Sequence, residues 1–597
     1  MTTINNSNAG VCHIKQEFII HRTNKNEESK IENDHTGKRK LDVNEVDYDV
    51  KKTKGNETND LTCKDKLKKR GQNKARPKTF KDEKENKPCP SIVNISCVEE
   101  VTPCQYQNCK YIHNFLDYLK IKKADIGSEC HVFKLRGRCP RGISCRFGSS
   151  HITNDGYNIV DKKQEEIWLD DTKNTMQTML QIKLQRKKYD FSSAEKLVKS
   201  LDNVRKVNKS EHNTEKDNTT ELSKEKHSGV VTDEDVISLL PREKSAIDWK
   251  NKLYLSPLTT VGNLPFRRIC KYYGADITCG EMALCESLLK GAKQEWALVK
   301  RHESEDLFGA QICGNNPFAI SKVAQVLQEN TELDFIDLNL GCPIDLIYKK
   351  GGGSGMMHRL PALETSVRSA SSILNIPFTV KMRTGVYQDK KIAHTIMPKL
   401  KEWGASLITL HGRSKEARYT KLADWEYIET CAKMVLPLPV YGNGDILCYE
   451  DYVNRCKVAP SIQGVMIGRG ALIKPWIFSE IKEHKLWDIS SSERFEIIRK
   501  FTNYGLEHWG SDTQGVENTR RFLLEWLSFL YRYVPVGILE RPPQKINERP
   551  PSYFGRNDLE TLMASGNCSD WIKISEMFLG PVPDGFIFLP KHKANSY

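Results

Sequence analysis

Long apolar runs are missing from this sequence. Its most apolar stretch, residues 522–539, is broken by Glu525 and Arg532, and the N-terminus lacks an apolar core followed by a cleavage site. A bilayer crossing needs about 20 consecutive apolar residues, so the expectation is an intracellular chain with no membrane partner. Large apolar residues are also scarce over residues 1–88, where Lys, Asn, Glu and Asp dominate. Such a segment cannot bury enough surface to offset the entropy of ordering it, and a disordered arm is expected there. Within it, Lys38-Arg39-Lys40, Lys51-Lys52-Thr53-Lys54 and the run 66–78 are basic clusters of the nuclear-import or RNA-tethering kind. They point to the cytoplasm, the nucleus or both.

What remains is large and basic. A chain of 597 residues exceeds one ordinary domain, and a net charge of +14 favours a polyanionic partner. Without a secretory segment, the 18 cysteines read as thiols, metal ligands or catalytic groups rather than disulfides. Seven of them, with three histidines, crowd into residues 89–152. Cys130, Cys139, Cys145 and His151, separated by eight, five and five residues, approach the CCCH finger spacing, and three thiolates with one imidazole suit a closed tetrahedral zinc site. Cys104, Cys109 and His113 need a fourth ligand, either Cys97 or, across a longer loop, Cys89. Tyr106, Tyr111, Phe133 and Phe147 alternate with Lys110, Arg136, Arg138, Arg141 and Arg146, a mixture suited to stacking bases and neutralising phosphate.

Residues 153–245 return to charged sequence and are expected to be a linker with one helix near 165–187. Residues 246–484 alternate short apolar runs with amphipathic ones, and residues 485–590 have helical patterns only. Eight strands are expected at 253–256, 277–280, 307–312, 335–340, 378–382, 407–410, 439–441 and 464–467, most followed by a helix. The fold class is therefore α/β, a (β/α)8 TIM barrel followed by a small helical domain and preceded by two CCCH-type fingers and the arm. Barrel enzymes work at the C-terminal strand ends. Those ends hold Pro257, Leu258, Thr259, Glu281, Gln311, Asn339, Cys342, Lys381, Arg383, His411, Arg413, Asn443, Gly444, Asp445, Gly468 and Arg469. The glycine-rich turns 442–445 and 468–470 follow strands seven and eight, where barrels bind phosphate through backbone N–H groups, so a phosphorylated cofactor is expected.

Ser256-Pro257-Leu258-Thr259, Asn339-Leu340-Gly341-Cys342-Pro343, Gly351-Gly352-Gly353-Ser354-Gly355, Lys381-Met382-Arg383, His411-Gly412-Arg413 and Gly442-Asn443-Gly444-Asp445 are together similar to the dihydrouridine synthases. The resemblance covers about residues 89–580. It implies that Pro257, Leu258 and Thr259 border an FMN ring, that Gln311 meets it, that Lys381 sets positive charge beside it and that His411 sits against it. Asn443, Gly444, Asp445, Gly468 and Arg469 would surround the ribityl phosphate, NADPH or NADH would be the reductant, and Cys342 the proton donor. A thiol near its usual pKa of ~8.5 is mostly protonated at neutral pH and able to donate.

The implied substrate is uridine in tRNA, with messenger RNA as a second candidate, and a monomer is expected. An extruded base would pass under a lid formed by the loop 349–357, and Arg520, Arg521 and Arg532 would face RNA phosphates. Two other readings compete: a flavin oxidoreductase of free pyrimidines, and a non-catalytic RNA-binding protein on a barrel scaffold.

Overall fold

The computed structural model describes residues 11–20, 76–77, 80–214 and 247–591. Eight parallel strands form the centre: β1 (Lys252–Leu255), β2 (Ile277–Cys279), β3 (Leu307–Cys313), β4 (Phe335–Leu340), β5 (Phe378–Arg383), β6 (Leu407–His411), β7 (Val440–Asn443) and β8 (Gly464–Ile467). Each pairs with the next, and β8 returns to β1 with Val465 opposite Leu253, so the sheet closes on itself. The expected barrel is present, every strand within two residues of its expected bounds.

Side chains alternate along a strand, and the alternation sorts the barrel into layers. On β4, Ile336, Leu338 and Leu340 join the large apolar cluster shared with the surrounding helices, while Phe335, Asp337 and Asn339 occupy the other face. At the N-terminal end of the bore, Trp249, Tyr254, Phe335 and Tyr441 pack edge to face at 5.7 to 6.4 Å, and the Tyr441 hydroxyl donates to the Trp249 carbonyl at 2.6 Å. Gly309 makes this possible, since a Cβ there would stand 2.2 Å from the Phe335 ring. The aromatic floor closes one end and leaves the polar layers at the other.

Three of the helices join the barrel to the helical region: α1 (Leu264–Tyr272) on the barrel wall, and α2 (Ser491–Trp509) and α3 (Thr513–Leu530) in the helical region. α2 starts at a capping box between Ser490 and Glu493. Trp526 of α3 packs against Phe266 of α1 and Phe501 of α2, and its indole N–H donates to the Leu472 carbonyl at 3.0 Å. The second finger docks on this pair of helices. His131 Nε2 lies 2.7 Å from Glu507 Oε1, the other oxygen of Glu507 takes Arg268 of α1, and the Arg146 N–H donates to the Ser511 carbonyl at 2.8 Å.

Two segments depart from expectation. The linker is not a bare connection: helix Lys162–Ile167 packs on the second finger, where the Gln164 amide donates to the Leu135 carbonyl at 3.0 Å, and helices Thr178–Gln185 and Ser192–Thr214 lie against the barrel. Thr172–Lys173 pairs antiparallel with Arg301–His302, and Leu180, Leu184, Ala194 and Val198 are buried. The single helix expected near 165–187 is split because Asn174, at φ 63°, turns the chain so that its amide can bond Glu332 and Val299. In the arm, residues 11–20 lie along the helical region. The Cys12 N–H donates to the Arg549 carbonyl at 2.8 Å and the Ile20 N–H to the Ser552 carbonyl at 2.9 Å. Cys12 and Ile14 are buried among Val534, Ile538, Leu539 and Tyr553. The clusters at 38–40 and 51–54, and nearly all of 66–78, lie outside the described residues.

Burial holds the Cys12 thiol pushed up to about 12 and out of reach of reagents. Ile14→Asp places a charge in that cluster, so residues 11–20 should detach and Cys12 should become alkylated in native buffer, read by peptide mass spectrometry. Equal protection of Cys12 in parent and variant would show that the segment is not held by this contact.

Candidate active site and metal centres

The polar layers converge on Cys342. Asp337, one layer below the mouth, accepts from Gln311 Nε2 and from the Thr379 hydroxyl, each at 2.7 Å. Gln311 then presents its carbonyl oxygen to Asn339 Nδ2 at 2.8 Å, and Asn339 presents its own to the N–H groups of Cys342 and Gly341 at 2.8 and 3.0 Å. Burial pushes Asp337 up to about 6, against its two donors and Lys381. It is therefore ionised at neutral pH, and as a pure acceptor it fixes which way both amides point.

Cys342 is 7% exposed. Burial raises its thiol above the ordinary value, opposed by the Ile344 N–H and by Arg383 and Lys381. Its carbonyl accepts from Ser354 Oγ at 2.9 Å, and Gly353, at φ +53°, lies so close that a Cβ there would be 2.9 Å from Cys342 Cβ. Residues 352–357 are thus buried beneath Cys342. This corrects the lid expected at 349–357, because most of the loop is a packed wall, tied to the Cys342 carbonyl through Ser354.

Lys381 stands opposite Asn339 in register, and Arg383 opposite His411. Burial, with Arg383 nearby, pushes Lys381 down to about 8. His411 is driven far below its ordinary value by burial and by Arg383, Lys381, Arg413 and Arg469, so its ring is neutral. Four cations around one buried imidazole make this mouth electropositive, and an anionic ligand such as a flavin phosphate fits it. On the opposite rim, Pro257, Leu258 and Thr259 follow β1 beside Gly468, where a Cβ would meet only Ser256 and Leu258 side chains, at 3.5 Å and beyond. Asn443 is turned to the Met466 carbonyl at 2.7 Å. Gly444 is pinned at φ +135°, with Ala423 2.5 Å from where a Cβ would stand.

Asp445 is engaged by two arginines. Its carboxylate accepts from Arg413 twice at 2.6 Å, from Arg469 at 2.8 Å and from the Ala423 N–H at 2.7 Å. A carboxylate would repel phosphate, so its work is to hold two arginines in place. Tyr419, which the sequence reading missed, lies over Arg469 at 4.1 Å and 6.4 Å from His411. Asp337 was missed as well, although an acid at an inward position of an otherwise apolar strand was a readable signal.

Both cysteine clusters have a metal-ligand geometry, with the four ligand atoms of each set within 4.8 Å of one another. Cys130 Sγ is 3.9 Å from that of Cys139 and 3.7 Å from that of Cys145, close to the edge of about 3.8 Å for a tetrahedron of ~2.3 Å zinc–sulfur bonds. His151 completes the set: Asn158 Oδ1 lies 3.0 Å from Nδ1, leaving the buried Nε2 without a hydrogen-bond partner. In the first finger Cys104, Cys109 and His113 are joined by Cys89, whose sulfur is 3.7 and 3.9 Å from the two thiols. Cys97 is not among them, which corrects its choice as fourth ligand. The Cys89 N–H donates to the Ile112 carbonyl at 2.7 Å and so stands beside His113, whereas Cys97 caps the short helix Val98–Glu100.

The cations between the ligands are largely engaged within the protein. Arg136 lies over Trp168, Arg138 bonds Asn94 and Glu100, Arg141 pairs with Asp512, and Arg146 donates to the Ala124 carbonyl. Phe133 stacks on His151 and Phe147 is buried, while Tyr106 of the first finger is 77% exposed. Arg520 is fully buried, bonded to Ser575 Oγ and to the Leu579 and Gly580 carbonyls, so it does not face phosphate. Arg532 lies beside Phe529 and Tyr531, and Arg521 beside Phe522.

Comparison with known proteins follows the same division. Residues 254–527 match the family model described as Dihydrouridine synthase (Dus), and residues 122–154 match one described as DUS3L CCCH zinc finger domain. A Xenopus laevis protein named tRNA-dihydrouridine(47) synthase NAD(P)(+)-like is 53% identical over 542 residues, which are 89% of this chain and 84% of that protein. Proteins of the same name from Homo sapiens and Arabidopsis thaliana are 50% and 40% identical, over 88% and 85% of this chain and 84% and 85% of their own lengths. With identity of that order running from the fingers through the barrel to the helical region, the chain belongs to the dihydrouridine synthase family.

Proposed function

We propose that this chain reduces the 5,6 double bond of a uridine in tRNA, at position 47, with FMN and NADPH or NADH, and that Cys342 is the proton donor. The observation that carries the reading is Cys342: a thiol kept protonated by burial, with its backbone fixed on both sides, at the mouth of an electropositive barrel. The position in tRNA and the nicotinamide reductant rest on the names of the relatives.

Bound and reduced FMN supplies the hydride for C6 of the uracil. The chain's residues do the rest. Cys342 Sγ gives its proton to C5, and the thiolate left behind is stabilised by the Ile344 N–H, Arg383 and Lys381, the same groups that oppose the burial effect on its pKa. Solvent restores the proton. Lys381 in its cationic form favours negative charge on the flavin ring, and Arg469, held by Asp445 and Tyr419, offers its guanidinium to the phosphate. The uridine must leave its stack to reach this depth, at a cost of a few kcal/mol. Exposed Lys349, Lys350, Lys390, Arg418 and Lys421, on the loops after β4, β5 and β6, are placed to offset that by meeting the RNA backbone. Each finger holds one zinc ion, through Cys89, Cys104, Cys109 and His113 and through Cys130, Cys139, Cys145 and His151.

Cys342→Ala should keep the bound-flavin spectrum and lower dihydrouridine formation roughly 10²- to 10⁴-fold, measured by mapping modified tRNA; undiminished turnover would refute the assignment. Lys381 loses its charge as pH rises past about 8, so flavin reduction by NADPH should slow across that pH in the parent and show no such step in Lys381→Met. Zinc released by a mercurial should amount to two equivalents from the parent and from Cys97→Ser but one from Cys89→Ser, and the reverse pattern would restore Cys97 as ligand.

A further inference from the structure

Thr260 directly follows the loop 257–259 and is the most unusual residue near the mouth. It is β-branched yet has φ +79°, a conformation such residues rarely adopt without being held. Two side chains hold it. The Glu281 carboxylate, just beyond β2, accepts its backbone N–H, and Lys591 Nζ donates to its hydroxyl at 2.7 Å. Lys591 comes from the far end of the chain, 331 residues away, and is itself anchored. Its backbone N–H donates at 2.9 Å to Glu525 of α3, whose fully buried carboxylate also takes Arg76, and Arg76 Nε donates to the Leu589 carbonyl at 3.0 Å. Phe588 is buried against Trp571. The last described residues are therefore a fixed strap from the helical region to the barrel mouth.

We propose that this C-terminal strap is part of the cofactor site, with Lys591 a positioning residue that holds the loop 257–259 in its binding shape through Thr260. The inference rests on the reading of that loop as the flavin border. The chemistry suits a lysine. Its ammonium is a compact donor on a long stem, able to reach Thr260 from a backbone bonded to Glu525 of α3, and its charge offsets Glu281, whose ionised form burial disfavours. Thr260 is then clamped at its N–H by an acceptor and at its hydroxyl by a donor. Because Glu525 and Arg76 fix the strap, the placement of the helical region is transmitted to the edge of the cofactor site.

The test compares full-length holoprotein with Lys591→Met, Thr260→Val, the double variant and Lys591→Arg. Recovery of flavin fluorescence on dilution gives the Kd for FMN, and visible circular dichroism reports the setting of the ring. Loss of a charge-assisted hydrogen bond should raise Kd roughly tenfold in each single variant. The double variant should lose no more than either single one, since both remove one contact, and Lys591→Arg should recover most of the affinity. Unchanged FMN affinity in Lys591→Met, or losses that add in full, overturns the inference. Should Lys591→Met fail to fold, Thr260→Val decides alone, with unchanged affinity overturning the inference. A parent that binds no FMN overturns the proposed function itself.

Discussion

Asp337 accepts two hydrogen bonds from below the barrel mouth, and the geometry of Cys342 follows from that. An amide side chain has a donor end and an acceptor end, and nothing intrinsic to Gln311 or Asn339 says which should point up. An ionised carboxylate beneath them decides it. Gln311 must turn its NH2 group down, so its oxygen meets Asn339, and Asn339 must then offer its oxygen to the Cys342 N–H. The aromatic floor makes the same carboxylate costly to ionise, which is why two donors and the Lys381 charge are gathered around it. A buried polar group that is satisfied on every side is rigid, and rigidity at Asp337 becomes placement at Cys342.

The rest of the chain is tied to this barrel at a few charged points. Glu507 joins α2 to both His131 of the second finger and Arg268 of α1, so one carboxylate fixes three parts of the protein. Glu525 does the same for Arg76 and the C-terminal strap. Both are largely buried, where an ion pair is strongly destabilising to break by removing one partner. The second finger thus acts as a structural fastening between barrel and helical region, through His131 on Glu507, the Arg146 backbone N–H on Ser511 and the pair Arg141–Asp512. The first finger keeps Tyr106 and Lys110 exposed.

Much of the architecture was legible in the sequence, for physical reasons. The strands of a barrel covered by helices are short apolar runs, and reading the residues at the C-terminal end of each run collects Gln311, Cys342, Lys381 and His411 at one mouth, which is where they lie in the fold. The second finger was legible because its four ligands lie within one short stretch. The first was ambiguous because its fourth ligand arrives from across a 14-residue loop, and what brings Cys89 to His113 is a backbone hydrogen bond to Ile112 that spacing does not encode. Residues 11–20 and 586–591 were out of reach for a similar reason: each is stabilised by contacts with residues hundreds of positions away.

Charge was the least legible property. Arg138, Arg141, Arg146 and Arg520 look in the sequence like phosphate contacts, since they alternate with aromatic residues in a basic chain. In the structure each already has a protein partner, and Arg520 is fully buried. A guanidinium has five donors and is equally suited to fastening carbonyls and to binding RNA, so composition cannot separate the two uses. Burial can. An arginine that is fully buried and bonds two carbonyls at the end of a neighbouring helix, as Arg520 does, is out of reach of a phosphate, whereas Lys349, Lys350, Lys390, Arg418 and Lys421 stand exposed on the loops after β4, β5 and β6. The positive charge that matters for a polyanion is therefore the part of the total that folding leaves at the barrel rim.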